Sequence, residues 1–198
     1  MTCRKILSAV TLASTLCLAG FAGAQAPNSM LARYGDEFRT LHTLPLRIGA
    51  DDSLTAAGPT DRSAVFNDVP FDISLAAFIA DDQAIMVHAE QVADGSGAAN
   101  YTRYELSNWP IPGFRQKPLD CLEVSAEIVN SEHDLAWLRE HGFNPAGVIW
   151  IEQYFLSDDS FNNEVVISLL VRGSDCDVEP ASRFAELRSA LQVHPHHD

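Results

Sequence analysis

The sequence predicts a single α+β domain, a mostly antiparallel β-sheet packed by about three helices, after a cleaved signal peptide. Three observations carry this prediction. Apolar residues recur with a period of two in Phe71–Ile79 and Leu122–Ile128, as on strands that bury one face, and Val165, Ile167, Leu169 and Val171 make an unbroken apolar face. The Ser157–Asn163 linker between two of the most β-prone runs is far shorter than the roughly dozen residues that a parallel crossover needs. Elsewhere, apolar residues fall at helical spacing beside capping or stop residues.

The first element is an address. Met1–Lys5 carry two positive charges, Ile6–Phe21 are apolar or small, and Ala22-Gly23-Ala24 has the small-x-small form of a cleavage site. Residues 1–24 therefore read as a secretory signal peptide, with the exported chain starting at Gln25. The apolar run is shorter than the roughly 20 residues that span a bilayer, so no stable membrane insertion is expected after cleavage. Lipidation at Cys17 is disfavoured because Leu16 stands where a small residue should precede the cysteine. Residues 25–193 are expected to form one domain, and 194–198 a flexible His-rich tail. The expected location is periplasmic or secreted.

Within the domain, Met30, Leu31, Tyr34, Phe38 and Leu41 recur at helical spacing and predict an amphipathic helix. His42–Asp68 contains Pro45, Gly49, Gly58 and Pro59 and predicts an irregular connection with a short strand at Leu44–Ile48. Phe71–Val92 predicts a β-hairpin that reverses at Asp81-Asp82. Ala93–Asn100 reads as a loop, Tyr101–Leu106 as a short strand or helical turn, and Asn108–Pro118, with three prolines, as another loop.

Leu119–Val129 predicts a strand with Leu122 and Val124 on one face and Cys121 on the other. Ser131 with Asp134 resembles a capping pair, Leu135 and Leu138 form an apolar face, and Gly142 supplies a left-handed stop. A helix over Glu132–His141 follows, closed by contact between Leu138 and Phe143. Val148–Leu156 and Glu164–Arg172 predict an antiparallel pair, the second strand central in the sheet. Pro180 opens a last helix with the stripe Phe184, Leu187 and Leu191.

Cleavage also changes the covalent and charge balance. Cys3 and Cys17 leave with the signal, so Cys121 and Cys176 remain as an even pair in an oxidising compartment, which predicts one disulfide. Arg4 and Lys5 leave too, so 11 basic residues face 27 acidic ones and the net charge deepens from −14 to −16. Such a surface repels phosphate backbones and argues against nucleic-acid binding.

The candidate chemistry is sparse. His88 and Glu90 share one strand face, where a histidine and a carboxylate are able to share a proton or hold a metal. His88-Ala89-Glu90 opens like a zinc-deaminase pattern, but the Pro-Cys-x-x-Cys partner is missing. His133 and His141 lie two turns apart and form no adjacent ligand pair. His194, His196 and His197 make the tail the best metal candidate by composition, and Asp158-Asp159-Ser160 with Asn162-Asn163 concentrates oxygens without an EF-hand's spacing. No cofactor motif is present.

Three functions follow in order of expectation. The first is an exported, non-enzymatic binding or interaction domain for a protein or small-molecule ligand. The second is a small hydrolase-like or metal-assisted enzyme using His88 and Glu90, which a deep pocket holding those residues against another acid, base or nucleophile would bring forward. The third is metal carriage by the tail histidines.

Overall fold

A computed structural model describes residues 29–196. The signal-peptide reading, Cys3, Cys17 and His197 lie outside them. Two antiparallel sheets are layered, one of four strands and one of seven.

The small sheet is built from β1 (Leu31–Tyr34), β2 (Glu37–Thr40), β3 (Leu46–Ala50) and β11 (Leu191–Pro195), in the order β1-β2-β3-β11. The helix expected over Met30–Leu41 is instead the β1–β2 hairpin, with Leu31 opposite Thr40 and Tyr34 opposite Glu37. Its two-residue turn is Gly35-Asp36, and Gly35 sits at φ 64°, which a glycine adopts without steric cost. The predicted short strand at Leu44–Ile48 is present as β3. His194 and Pro195, expected in a flexible tail, belong to β11, where His194 is opposite Arg47, and the His196 amide donates to the Pro45 carbonyl.

The large sheet runs β4-β5-β6-β10-β9-β8-β7, every neighbouring pair antiparallel. Its strands are β4 (Thr55–Phe66), β5 (Val69–Ala80), β6 (Gln83–Val92), β7 (Glu105–Leu106), β8 (Arg115–Val124), β9 (Gly147–Ser157) and β10 (Asn163–Gly173). The β5–β6 hairpin and the β9–β10 pair follow the sequence pattern, and β10 lies between β6 and β9. The irregular connection is corrected by β4, a long edge strand whose register shifts between Ala57 and Thr60. Gly58, at φ 93°, stands at that bulge because a Cβ there would come within 2.9 Å of the Leu75 carbonyl oxygen.

Helices α1 (Ala126–Ser131), α2 (His133–Glu140) and α3 (Ala181–Ala190) complete the set. The strand predicted to reach Val129 ends at Val124, where Ser125 caps α1 by accepting from the Ile128 amide. Ser131 caps nothing in α2, whose N-cap is Glu132. At the other end, the Phe143 amide donates to the Leu138 carbonyl and both side chains are fully buried, as the stop signal predicts.

Both faces of the large sheet bury apolar side chains. Ala76, Phe78, Val87, Ile167 and Leu169 pack against the small sheet and Phe184 of α3, with Phe38 and Phe78 rings 5.2 Å apart. On the opposite face, Trp137 and Leu138 of α2 cover Leu75, Ala77, Met86 and Leu170. Cys121, pointing away from Leu122, lies at the margin of the first core and forms the predicted disulfide with Cys176, with a Cα–Cα distance of 5.7 Å. No helix among the described residues is long and apolar enough to cross a membrane.

Candidate functional site

The second face of the large sheet is covered by α1 and α2 at one end only. Toward the other end a half-open cleft of about 550 Å³ remains, with Arg62, His88, Glu90, Tyr101, Phe155 and Glu164 among its lining. Register brings these groups together. Glu90 of β6 is directly opposite Glu164 of β10, and His88, two residues earlier on the same face, is opposite Val166. Directly paired residues on neighbouring strands hold their Cβ atoms about 5 Å apart, so the two carboxyls share one spot on the floor.

Two other elements close over that floor. Helix α2 supplies Asp134, whose carboxylate accepts two hydrogen bonds from Arg62: Nε to Oδ1 at 3.0 Å and Nη2 to Oδ2 at 2.8 Å. Asp134 is thus a side chain of the site, and not the capping partner that the sequence suggests. The loop after β6 is pinned to the β9–β10 turn by Ala99 N–H to Phe161 O and Ser157 Oγ to Ala99 O. This anchoring lays Tyr101 over the sheet, its ring stacked 4.2 Å from that of Phe155.

Burial makes the floor electrostatically tense. His88 is 8 % exposed, and its Nε2 lies 3.3 Å from Asp134 Oδ2 without the alignment of a hydrogen bond, so it has no hydrogen-bond partner among the described residues. Burial alone would lower the His88 pKa, but Asp134 and Glu90 outweigh it and raise the value above normal. Asp134 shows the converse: burial opposes its charge, yet His88 and Arg62 hold it well below the usual carboxylate range.

Glu164 is 1 % exposed, and its Oε2 has no hydrogen-bond partner among the described residues. Burial, then the nearby Glu90 carboxyl, pushes its pKa to about 8, against the pull of the Tyr101 hydroxyl and His88. Burial also raises Glu90, with His88 opposing. Behind the strand, His42 Nε2–H donates to the Glu164 carbonyl at 3.1 Å, and burial lowers its pKa, so it serves as a neutral support. The arrangement is a carboxyl pair that holds a proton near neutral pH beside a charge-stabilised histidine.

Of the sequence candidates, His88 and Glu90 do share one site, which adds Arg62, Tyr101, Asp134 and Glu164. His141 lies apart and donates from Nδ1 to the Trp137 carbonyl at 2.8 Å, at the end of α2. In the β9–β10 loop, Asp158 accepts from Thr43, Ser160, Asn162 and Asn163, so its oxygens are already used within the fold. Among the described residues, no group of three or more His, Cys, Asp or Glu side chains is gathered to hold a metal ion.

Comparison with protein-family models, curated proteins and solved structures returns no match for this chain.

Proposed function

We propose that this is an exported binding domain whose ligand is a small molecule seated in the cleft over β6 and β10. One observation carries the reading: two deeply buried polar atoms, Glu164 Oε2 and His88 Nε2, stand without hydrogen-bond partners among the described residues at the floor of a cleft. Each such group costs about 1–3 kcal/mol, and a ligand that hydrogen-bonds them recovers that cost. The volume suits a small molecule, and pockets of this kind combine an apolar wall with a few convergent polar groups. The Cys121–Cys176 disulfide is consistent with an oxidising compartment and thus with export.

Titration of ¹⁵N-labelled protein with a mixed library of small polar and aromatic fragments tests this. Binders should perturb the amides of His88, Glu90, Tyr101 and Glu164, and Glu164→Gln should weaken them. Perturbations confined to other surfaces would overturn the reading.

Catalysis is the second reading, favoured by the carboxyls of Glu90 and Glu164 lying directly opposite with raised proton affinities. Such a pair places an acid and a base together, as hydrolysis requires. His88 and Glu90 do face further acids, in a cleft that is half open. Turnover of chromogenic esters, glycosides or phosphate esters that Glu90→Gln abolishes while ligand binding survives would put catalysis first.

A further inference from the structure

Charge bookkeeping in the cleft identifies the kind of ligand. Its floor holds three carboxyl groups, Glu90 from β6, Asp134 from α2 and Glu164 from β10. Facing them are Arg62 from β4, His88 from β6, Tyr101 and Arg103 from the loop, and His42 behind β10. Arg62 is committed to Asp134 through two hydrogen bonds. His88 leans toward Asp134 as well. Arg103 is turned to the Asn100 carbonyl at 3.2 Å and lies 4.6 Å over the Tyr104 ring, and His42 spends Nε2 on a backbone carbonyl. Glu90 therefore feels His88 and, more weakly, Arg62, whereas the nearby cation for Glu164 is His88 alone, and Glu164 Oε2 remains unpartnered.

We propose that the cleft takes a small organic cation, a protonated amine carried on an apolar or aromatic body, with the ammonium between Glu90 and Glu164. An ammonium offers three donors, enough for Glu164 Oε2 and an oxygen of Glu90 together. The stacked Tyr101 and Phe155 rings supply an apolar wall beside it, the Tyr101 ring having Arg103 5.5 Å away. This inference rests on the binding reading above and adds the chemical class of the ligand. Near neutral pH the carboxyl pair holds a proton, so the arriving ammonium displaces it into solvent.

Three probes of one shape test the assignment: benzylamine, benzyl alcohol and benzoate, each followed by amide shifts and calorimetry. Benzylamine should shift the resonances of Glu90, Tyr101 and Glu164 and bind roughly tenfold or more tightly than the alcohol, with benzoate weakest. Glu90→Gln and Glu164→Gln, with native-like spectra, should each weaken benzylamine by a similar factor. Calorimetry of the unsubstituted protein in buffers of different ionisation enthalpy should report net proton release per amine bound at about pH 7, and Glu164→Gln should reduce it. Cleft binding of the alcohol or benzoate as tight as that of benzylamine would overturn the cation assignment and leave the binding reading standing. Displacement of benzylamine by an equal concentration of zinc or calcium would do the same. If none of the three probes shifts cleft resonances, the amine assignment falls, and the fragment library separately decides whether the cleft binds anything.

Discussion

Two buried acidic sites lie on opposite faces of the same sheet and are treated in opposite ways. Glu152, on the face that meets the small sheet and α3, is 5 % exposed and receives Arg188 Nη1 at 2.6 and 2.9 Å together with the Tyr154 hydroxyl. Glu164, on the cleft face, is buried still more deeply, yet has a second carboxyl opposite it and an oxygen with no hydrogen-bond partner among the described residues. A buried carboxylate supplied with its own cation is part of the frame. One that shares its surroundings with a second carboxyl and leaves an oxygen unpartnered is held at a cost to stability, and such costs gather at sites that await a ligand.

The frame face should therefore be the sensitive one. Loss of the Cys121–Cys176 bridge has the largest expected effect. It joins residues 55 apart, and releasing a loop of that length destabilises by about 4 kcal/mol in the chain-entropy picture. Denaturant unfolding of a Cys121→Ser, Cys176→Ser variant measures it, and a loss below about 1 kcal/mol would show that this face needs no staple. Next in size is Arg188→Met, which strands Glu152. Breaking a buried pair costs about 3–5 kcal/mol, and the lower end applies because Arg188 is about one-third exposed. Glu152→Gln in the same background keeps the hydrogen bond from Tyr154 and should recover much of that loss. Failure to recover would mean that Arg188 acts by packing and not by charge.

The legibility of the two faces in the sequence also differs. Strands β5, β6, β9 and β10 are readable because Phe71–Ile79 keeps an apolar face at a period of two and Val165–Val171 is a short β-prone apolar run bounded by turns, buried on both faces. The helix α2 is readable from its stop, where Gly142 precedes the buried Phe143. The β1–β2 hairpin is not, because Leu31, Tyr34 and Phe38 fit a helical stripe as well as a strand pair. Gly35-Asp36 between them was the signal that favoured the turn. Strand β4 hides because an edge strand tolerates Gly58-Pro59 and mixed polarity that a central strand would not. In the site, His88 and Glu90 are visible as strand neighbours, but Glu164 is meaningful only once the β6–β10 register sets it opposite Glu90. Arg62 and Asp134 are 72 residues apart and meet only through tertiary packing.

The smallest effect is also the one with the opposite sign. The Glu164 pKa of about 8 in the folded protein lies above its ordinary value of 4.5, so the native state retains a proton that the unfolded chain gives up. Stability is unaffected below about pH 4.5, declines as pH rises through this window, and levels off above about pH 8. His88 acts in the same direction: its raised affinity contributes stability that is complete below 6.5 and is lost as pH rises through the folded value. By linkage the Glu164 deficit at pH 7 is on the order of 3 kcal/mol, and sharing of the proton with Glu90 lowers what one substitution recovers. Glu164→Gln should thus stabilise the protein by about 1–2 kcal/mol at pH 7 and by almost nothing at pH 4.5, with a flatter decline toward alkaline pH. Denaturant curves across that range measure it. A loss of stability at pH 7 would mean that Glu164 has a partner as complete as that of Glu152, and the contrast between the two faces would disappear.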